Sequence, residues 1–191
     1  MFKRVLLFIF SFMITVTCYA SPDVTIDGFR GVYWGYTVEG VNDSGVFSTK
    51  LEKVHEGLGR TVYEAKLTYP SICGIALDEK AKCTFSDGKL SEIVLYFNDS
   101  SNPRSCYQKL TKAIESVWGF TYYKEDYYDE RSKLDLKSTE WKINDDYICV
   151  ESSVINIPNM KGANQIRIGT HRYQYKRYPY WRSKYQSCDG F

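Results

Sequence analysis

The segment from Arg167 to Tyr185 combines basic and aromatic side chains and contains no acidic residue. Rigid Tyr and Trp rings and forked Arg donors give a protein interface contact area at low entropic cost. The same combination suits single-stranded nucleic acid, through phosphate contacts and stacking, or a sugar, through aromatic faces. The alternative is a charged edge strand that prevents sheets from aggregating. The candidate binding residues are Arg172, Tyr175, Arg177, Tyr180 and Trp181.

Acidic residues cluster at 125–130 and at Asp145-Asp146. A glycosidase needs two carboxyl groups roughly 5–10 Å apart across a cleft. A pair such as Asp145 and Glu151 would serve an exported hydrolase acting on cell-wall or glycan material. We expect instead that residues 125–130 form a solvated loop with interleaved tyrosines, whose charge the basic segment partly balances. Asp145-Asp146 suits a turn, and the acidic spacing fails the EF-hand pattern.

The sequence lacks the common patterns of catalysis. It has two histidines, His55 and His171, and no GxSxG elbow, HExxH helix, Walker loop or dinucleotide fingerprint. We therefore predict no metal, no cofactor and no catalytic residue. The leading hypothesis is a non-catalytic module that recognises a protein, such as an enzyme inhibitor or an immunity-type protector.

Residues 1–20 have the pattern of a secretory signal peptide. Two basic residues precede an apolar stretch from Val5 to Val16, and small residues end at Ala20. That stretch is shorter than the ~20 residues that cross a bilayer. We predict cleavage after Ala20, no membrane span in the mature chain, and a periplasmic or extracellular location. A membrane anchor, or a lipid on Cys18, is the alternative.

Cleavage would leave five cysteines in an oxidising compartment. The spacing of Cys73 and Cys83 suits a bridge, and closing so short a loop stabilises a fold by roughly 3 kcal/mol. A second bridge would join Cys106 to Cys149 or use Cys188. Because Cys188 lies near the C-terminus, it is the candidate free thiol, and the protein is predicted to be a monomer or a dimer linked through Cys188.

Composition and patterning predict one domain over residues 21–191. The chain has 25 Lys and Arg against 23 Asp and Glu, and loss of Lys3 and Arg4 with the leader would leave 23 of each sign. A neutral mature chain argues against a surface built for nucleic acid or anionic lipid. Hydrophobic residues make up 43% of the chain, which excludes a polytopic membrane protein and a disordered tail.

Hydrophobic periodicity predicts an α+β fold, in which a mostly antiparallel sheet carries its helices on one face. One well-defined helix is expected at about 103–118, capped by Asn102 and ended by Gly119. A short N-terminal helix is expected near Thr37–Asn42. The predicted strands are Phe47–Leu51, Tyr63–Tyr69, a hairpin over Ala81–Asn98 that turns at Asp87-Gly88, Ser138–Ile143, Tyr147–Ile157 and 164–178.

The segment Phe29-Arg30-Gly31-Val32-Tyr33-Trp34-Gly35 precedes the predicted short helix. A D-G-K-L hairpin at 87–90 and a Tyr-containing helix ending in Gly at 107–119 follow it. Over about residues 29–145 this order resembles small exported bacterial domains with an F-x-G-x-x-W-G opening, although their usual Pro after the helix-ending Gly is absent. The resemblance implies an α+β fold and export, and it implies no particular activity.

Overall fold

The computed structural model describes residues 24–25, 27–97, 102–119, 123–131, 133–155, 162 and 164–173. The predicted signal peptide lies outside this part of the chain, as do Tyr175, Arg177, Tyr180, Trp181 and Cys188. Within the described ranges no helix is both long enough and apolar enough to cross a membrane.

The chain is built mainly of antiparallel strands, with two helices in its described part. The bounds are β1 Val24–Thr25, β2 Gly28–Phe29, β3 Val32–Tyr33, α1 Val38–Asn42, β4 Glu52–Gly57, β5 Arg60–Lys66, β6 Ser71–Ile72, β7 Ile75–Ala76, β8 Lys80–Ser86, β9 Lys89–Tyr96, α2 Pro103–Trp118, β10 Tyr123–Asp129, β11 Leu134–Ile143, β12 Asp146–Ile155 and β13 Asn164–Thr170. The main sheet has the order β10-β11-β12-β13-β9-β8-β5-β4. The α+β prediction is therefore right only in part, because the sheet dominates the fold.

Side chains of the main sheet alternate between two faces, which we call the inner and the outer face. The inner face carries apolar residues such as Ile93, Ile148, Val150 and Ile168, all of which are buried. Helix α2 and the segment that includes Phe29, Trp34 and Val41 belong to the same core. The outer face carries charged residues such as Glu92 and Arg167 beside buried Val94, Tyr147 and Cys149.

Helix α2 forms where the sequence predicts it. The side chain of Asn102 accepts a hydrogen bond from the Ser105 N–H at 3.0 Å, Pro103 occupies the first turn, and Gly119 ends the helix with a φ of 81°. Leu110 and Ile114 lie on its buried side. The Tyr107 hydroxyl is hydrogen-bonded to the hydroxyl of Thr139 on β11, at 2.5 Å, which fixes the helix over the inner face.

The turn residues also lie where local sequence places them. Asp87 and Gly88 join β8 to β9 with φ values of 52° and 75°, as a tight hairpin requires. Asn144, with a φ of 56°, begins the turn between β11 and β12. Helix α1 is capped by Thr37, whose hydroxyl accepts from the Gly40 N–H at 3.2 Å.

Three strand predictions are corrected. Residues 125–130 do not form a solvated loop, because Tyr123–Asp129 pair continuously with β11 as an edge strand. Phe47–Leu51 is not a strand, since Phe47 makes a single bridge to Leu67 and β4 begins at Glu52. Strand β13 ends at Thr170.

Candidate functional site

The described part of the basic and aromatic segment is engaged inside the molecule. Arg172 donates through Nη2 to a carboxylate oxygen of Asp146, whose side chain is only 1% exposed at the start of β12. Burial raises the pKa of that carboxyl, and the charge of Arg172 opposes the shift. Tyr173 packs against the core beside Gly35, with Lys89 Nζ 5.3 Å from the centre of its ring. The Arg172 guanidinium is thus balanced by a carboxylate of its own chain.

Arg167 is engaged in the same way on the outer face. Its Nε and Nη2 atoms donate to Glu92 Oε2 at 3.2 Å and 3.0 Å. Its Nη1 lies 4.0 Å from Glu151 Oε1. Burial opposes the charge of Arg167, but Glu92, Tyr147 and Glu151 together outweigh burial and hold the pKa of Arg167 above its usual range.

A glycine makes room for the third member of this group. In the antiparallel register Gly169 pairs with Tyr147 of β12 on one side and with Glu92 of β9 on the other. The two outer strands of this row are about 10 Å apart. Because Gly169 has no side chain, Tyr147 extends across β13 and donates from its hydroxyl to Glu92 Oε2 at 2.6 Å.

We call Glu92, Tyr147 and Arg167 the outer-face cluster. Burial and then the charge of Glu92 raise the pKa of Tyr147, so its hydroxyl remains a donor at neutral pH. His171 stacks on Tyr147 with ring centres 4.7 Å apart. Within the cluster, Tyr147 and Arg167 therefore donate their hydrogen bonds to Glu92. These bonds stabilise the sheet and leave no activated base in the cluster.

Two thiols buried in the main sheet, Cys149 on its outer face and Cys83 on its inner face, are held in unreactive forms. Burial raises the pKa of Cys149 to about 12, and burial likewise raises the pKa of Cys83. A thiol in this state is a poor nucleophile at neutral pH. In the described part of the chain no three His, Cys, Asp or Glu side chains lie where they could hold a metal ion.

The carboxylate pair of the hydrolase hypothesis is not brought together. Asp145 is exposed in the turn before β12, and Glu151 lies six positions further along. At ~3.3 Å per residue the two residues are about 20 Å apart, which exceeds the range that paired glycosidase carboxylates need.

The predicted disulfides are not found among the described cysteines, since no bridge joins any two of the four. Cys73 is exposed in the turn between β6 and β7, whereas Cys83 is fully buried on β8. Cys106 and Cys149 are buried on α2 and β12. Their spacing along the chain gave no information on these separate environments.

Strand β10 carries the aromatic surface that the sequence analysis did not identify. Tyr123, Tyr127 and Tyr128 are 51%, 48% and 57% exposed on an edge of the main sheet. The register places Tyr123 and Tyr127 on the outer face and Tyr128 on the inner face. The tyrosines could have been found from the sequence, but only if 123–129 had been predicted as a strand. For the outer-face cluster, the sequence offered one signal, the isolated Gly169 within a strand pattern. A glycine at such a position often marks a place where another group approaches the backbone closely.

We expect Gly169→Ala to destabilise the fold by about 2–3 kcal/mol because the position is overpacked. An added Cβ would lie 2.7 Å from the Tyr147 hydroxyl and 2.8 Å from the backbone oxygen of Ser91. Urea unfolding measures the loss. Gly57→Ala is the matched control, since its nearest neighbour is His55 at 3.5 Å. Equal stabilities of the two variants would contradict the close approach.

Labelling with a thiol reagent should leave Cys83 and Cys149 unmodified in the native protein. Cys83 and Cys149 should react only after unfolding, because both are buried and protonated. Peptide mass spectrometry reads out the sites. Modification of Cys83 or Cys149 before unfolding would contradict their burial, and a peptide mass that joins Cys73 to Cys83 would establish the predicted bridge.

Glu140→Gln should raise the melting temperature at pH 7 and lose this advantage near pH 4. Burial raises the pKa of Glu140, with Glu151 adding to the shift. A raised folded-state pKa means that the contribution of Glu140 to stability is present below about pH 4.3 and is lost as the pH rises through the folded value. Glu56→Gln is a control of opposite sign, because Lys53 lowers the pKa of Glu56. A melting temperature unaffected by Glu140→Gln at both pH values would refute the shift.

Compared with protein-family models, curated proteins and solved structures, the chain shows no significant match.

Proposed function

We propose that the protein is an exported, non-catalytic module that binds a protein partner, in the manner of an enzyme inhibitor or an immunity-type protector. The groups that could do chemistry on the outer face are already committed to one another. Glu92 accepts from Tyr147 and Arg167, and Cys149 holds its proton at neutral pH. These contacts favour a binding role over a catalytic one.

The observation that carries the proposal is the row of half-exposed tyrosines on β10. Tyr123, Tyr127 and Tyr128 point to both faces of an edge strand, so a partner lying along that edge would contact all three rings. Tyrosine offers large, rigid contact area with few rotatable bonds and is enriched in binding surfaces. The sequence-based candidates Tyr175, Arg177, Tyr180 and Trp181 lie outside the described residues and remain a prediction.

Two further functions from the sequence analysis have less support. The hydrolase needs facing carboxylates, and the named pair is too far apart. Binding of an anionic polymer needs an excess of basic charge, whereas the described basic residues Arg167 and Arg172 are ion-paired with Glu92 and Asp146. For neither the hydrolase nor the polymer-binding protein does an observation favour that function over protein recognition.

Tyr127→Thr combined with Tyr128→Thr should weaken capture of the partner by more than ~2 kcal/mol, or about 30-fold in Kd. Threonine, like tyrosine, is favoured in β-strands, so the double variant should keep its fold. The measurement is capture from the periplasmic or extracellular fraction, followed by titration of the captured protein. Tyr69→Thr is the control, because Tyr69 is 72% exposed and lies outside β10.

The double variant Arg177→Ala and Trp181→Ala separates the two candidate surfaces. A loss of capture confined to this variant would place the interface on the C-terminal segment and remove β10 from the proposal. No specific capture by the wild-type protein, together with turnover of a glycan substrate, would overturn the binding module itself.

A further inference from the structure

The two edges of the main sheet are protected to different degrees. Strand β4 has a register shift between Lys53 and His55, and it carries the ion pair of Lys53 with Glu56 at 2.9 Å. Bulges and charges of this kind are how proteins blunt an exposed edge. Strand β10 pairs with β11 through seven consecutive residues without a shift. On its other side, no described strand is hydrogen-bonded to it.

An unblunted edge offers backbone donors and acceptors to an added strand. Every second residue of an antiparallel edge strand directs its N–H and C=O away from the sheet. In β10 these groups lie between exposed Tyr123 and Tyr127 on one face and exposed Tyr128 on the other. An extended segment would therefore find hydrogen bonds along its backbone and aromatic contacts on both sides.

The charges around β10 indicate what the added strand carries. On the inner face Asp126 is neutralised by an ion pair with Lys137. On the outer face Glu125 pairs in register with Ser138, Glu140 pairs with Tyr123, and Lys142 lies on the same face as Glu140. Glu151, one strand further in, already lies beside Arg167. Within the described residues neither Glu125 nor Glu140 forms a salt bridge. The outer face next to this edge is thus acidic.

We infer that β10 is the docking edge for an extended basic segment of the partner protein, which adds to the main sheet as a further strand. Its Lys or Arg side chains, at alternate positions, lie over Glu125 and Glu140, and its backbone pairs with Tyr123–Asp129. This inference rests on the proposed function and names its surface and the chemistry of the partner. A second copy of the chain is disfavoured, because Tyr123–Arg131 holds four acidic residues against two basic ones and would face its own net charge.

Three synthetic peptides test the inference on the full-length protein. The first alternates lysine with threonine over ten residues, the second replaces lysine by glutamate, and the third is the lysine peptide with alternate backbone nitrogens methylated. Methylation keeps the charge and removes the donors that strand pairing needs. Binding is followed by NMR, from shifts of the β10 amide signals, and by calorimetry.

The lysine peptide should bind at least tenfold more tightly than either of the other two, and its shifts should centre on Tyr123–Asp129. Glu125→Lys should weaken its binding at least tenfold. Glu52→Lys, on the opposite edge, should leave its binding unchanged. If the methylated peptide binds as tightly as the lysine peptide, surface charge alone explains the binding, and strand addition is overturned.

Hydrogen exchange of the protein alone completes the test. Outward-pointing amides of β10 should exchange quickly and become protected when the lysine peptide is added. Protection of every β10 amide beforehand would show that the edge is already occupied, by residues 174–191 or by a second copy, and would overturn the inference. If the peptides fail while the wild-type protein still captures a partner, the proposed function stands and this inference is wrong.

Discussion

Burial of one face of the main sheet is the constraint on which the remaining structure depends. Because side chains alternate along a strand, burying Ile148 and Ile168 beneath the helices places Tyr147, Arg167 and Gly169 on the opposite face. A slip of one residue in any central strand would expose the core and bury these polar groups. The apolar pattern therefore places the polar residues of the cluster together on one face of the sheet.

The outer-face cluster shows how a polar group can lie within a sheet without becoming reactive. Glu92 forms an ion pair with Arg167 and accepts a hydrogen bond from the hydroxyl of Tyr147. Its charge is therefore compensated at a site from which water is partly excluded. Gly169 is essential to this arrangement, since any Cβ would occupy the space that the tyrosine crosses. A network that is satisfied internally contributes to the stability and the register of the sheet.

The two edges of the main sheet differ in how they are protected. The charges and the register shift of β4 discourage pairing, whereas β10 offers a regular backbone between tyrosines. Proteins usually protect such an edge unless it is used. This difference between the two edges supports the proposal that β10 binds a partner, and the acidic residues beside β10 favour a basic one.

Local signals in the sequence were sufficient for the elements that form locally. The cap at Asn102, the helix end at Gly119 and the Asp87-Gly88 turn were all predicted, because capping and turn geometry involve residues a few positions apart. The strand at 123–129 was mistaken for a loop, since its charges resemble those of a solvated segment. Contacts such as Arg167 with Glu92 join residues far apart in the chain. Only the tertiary structure decided which strand became an edge of the described sheet, which face packed against the helices and which charges met, because strand order and register arise from burial of the whole sheet at once.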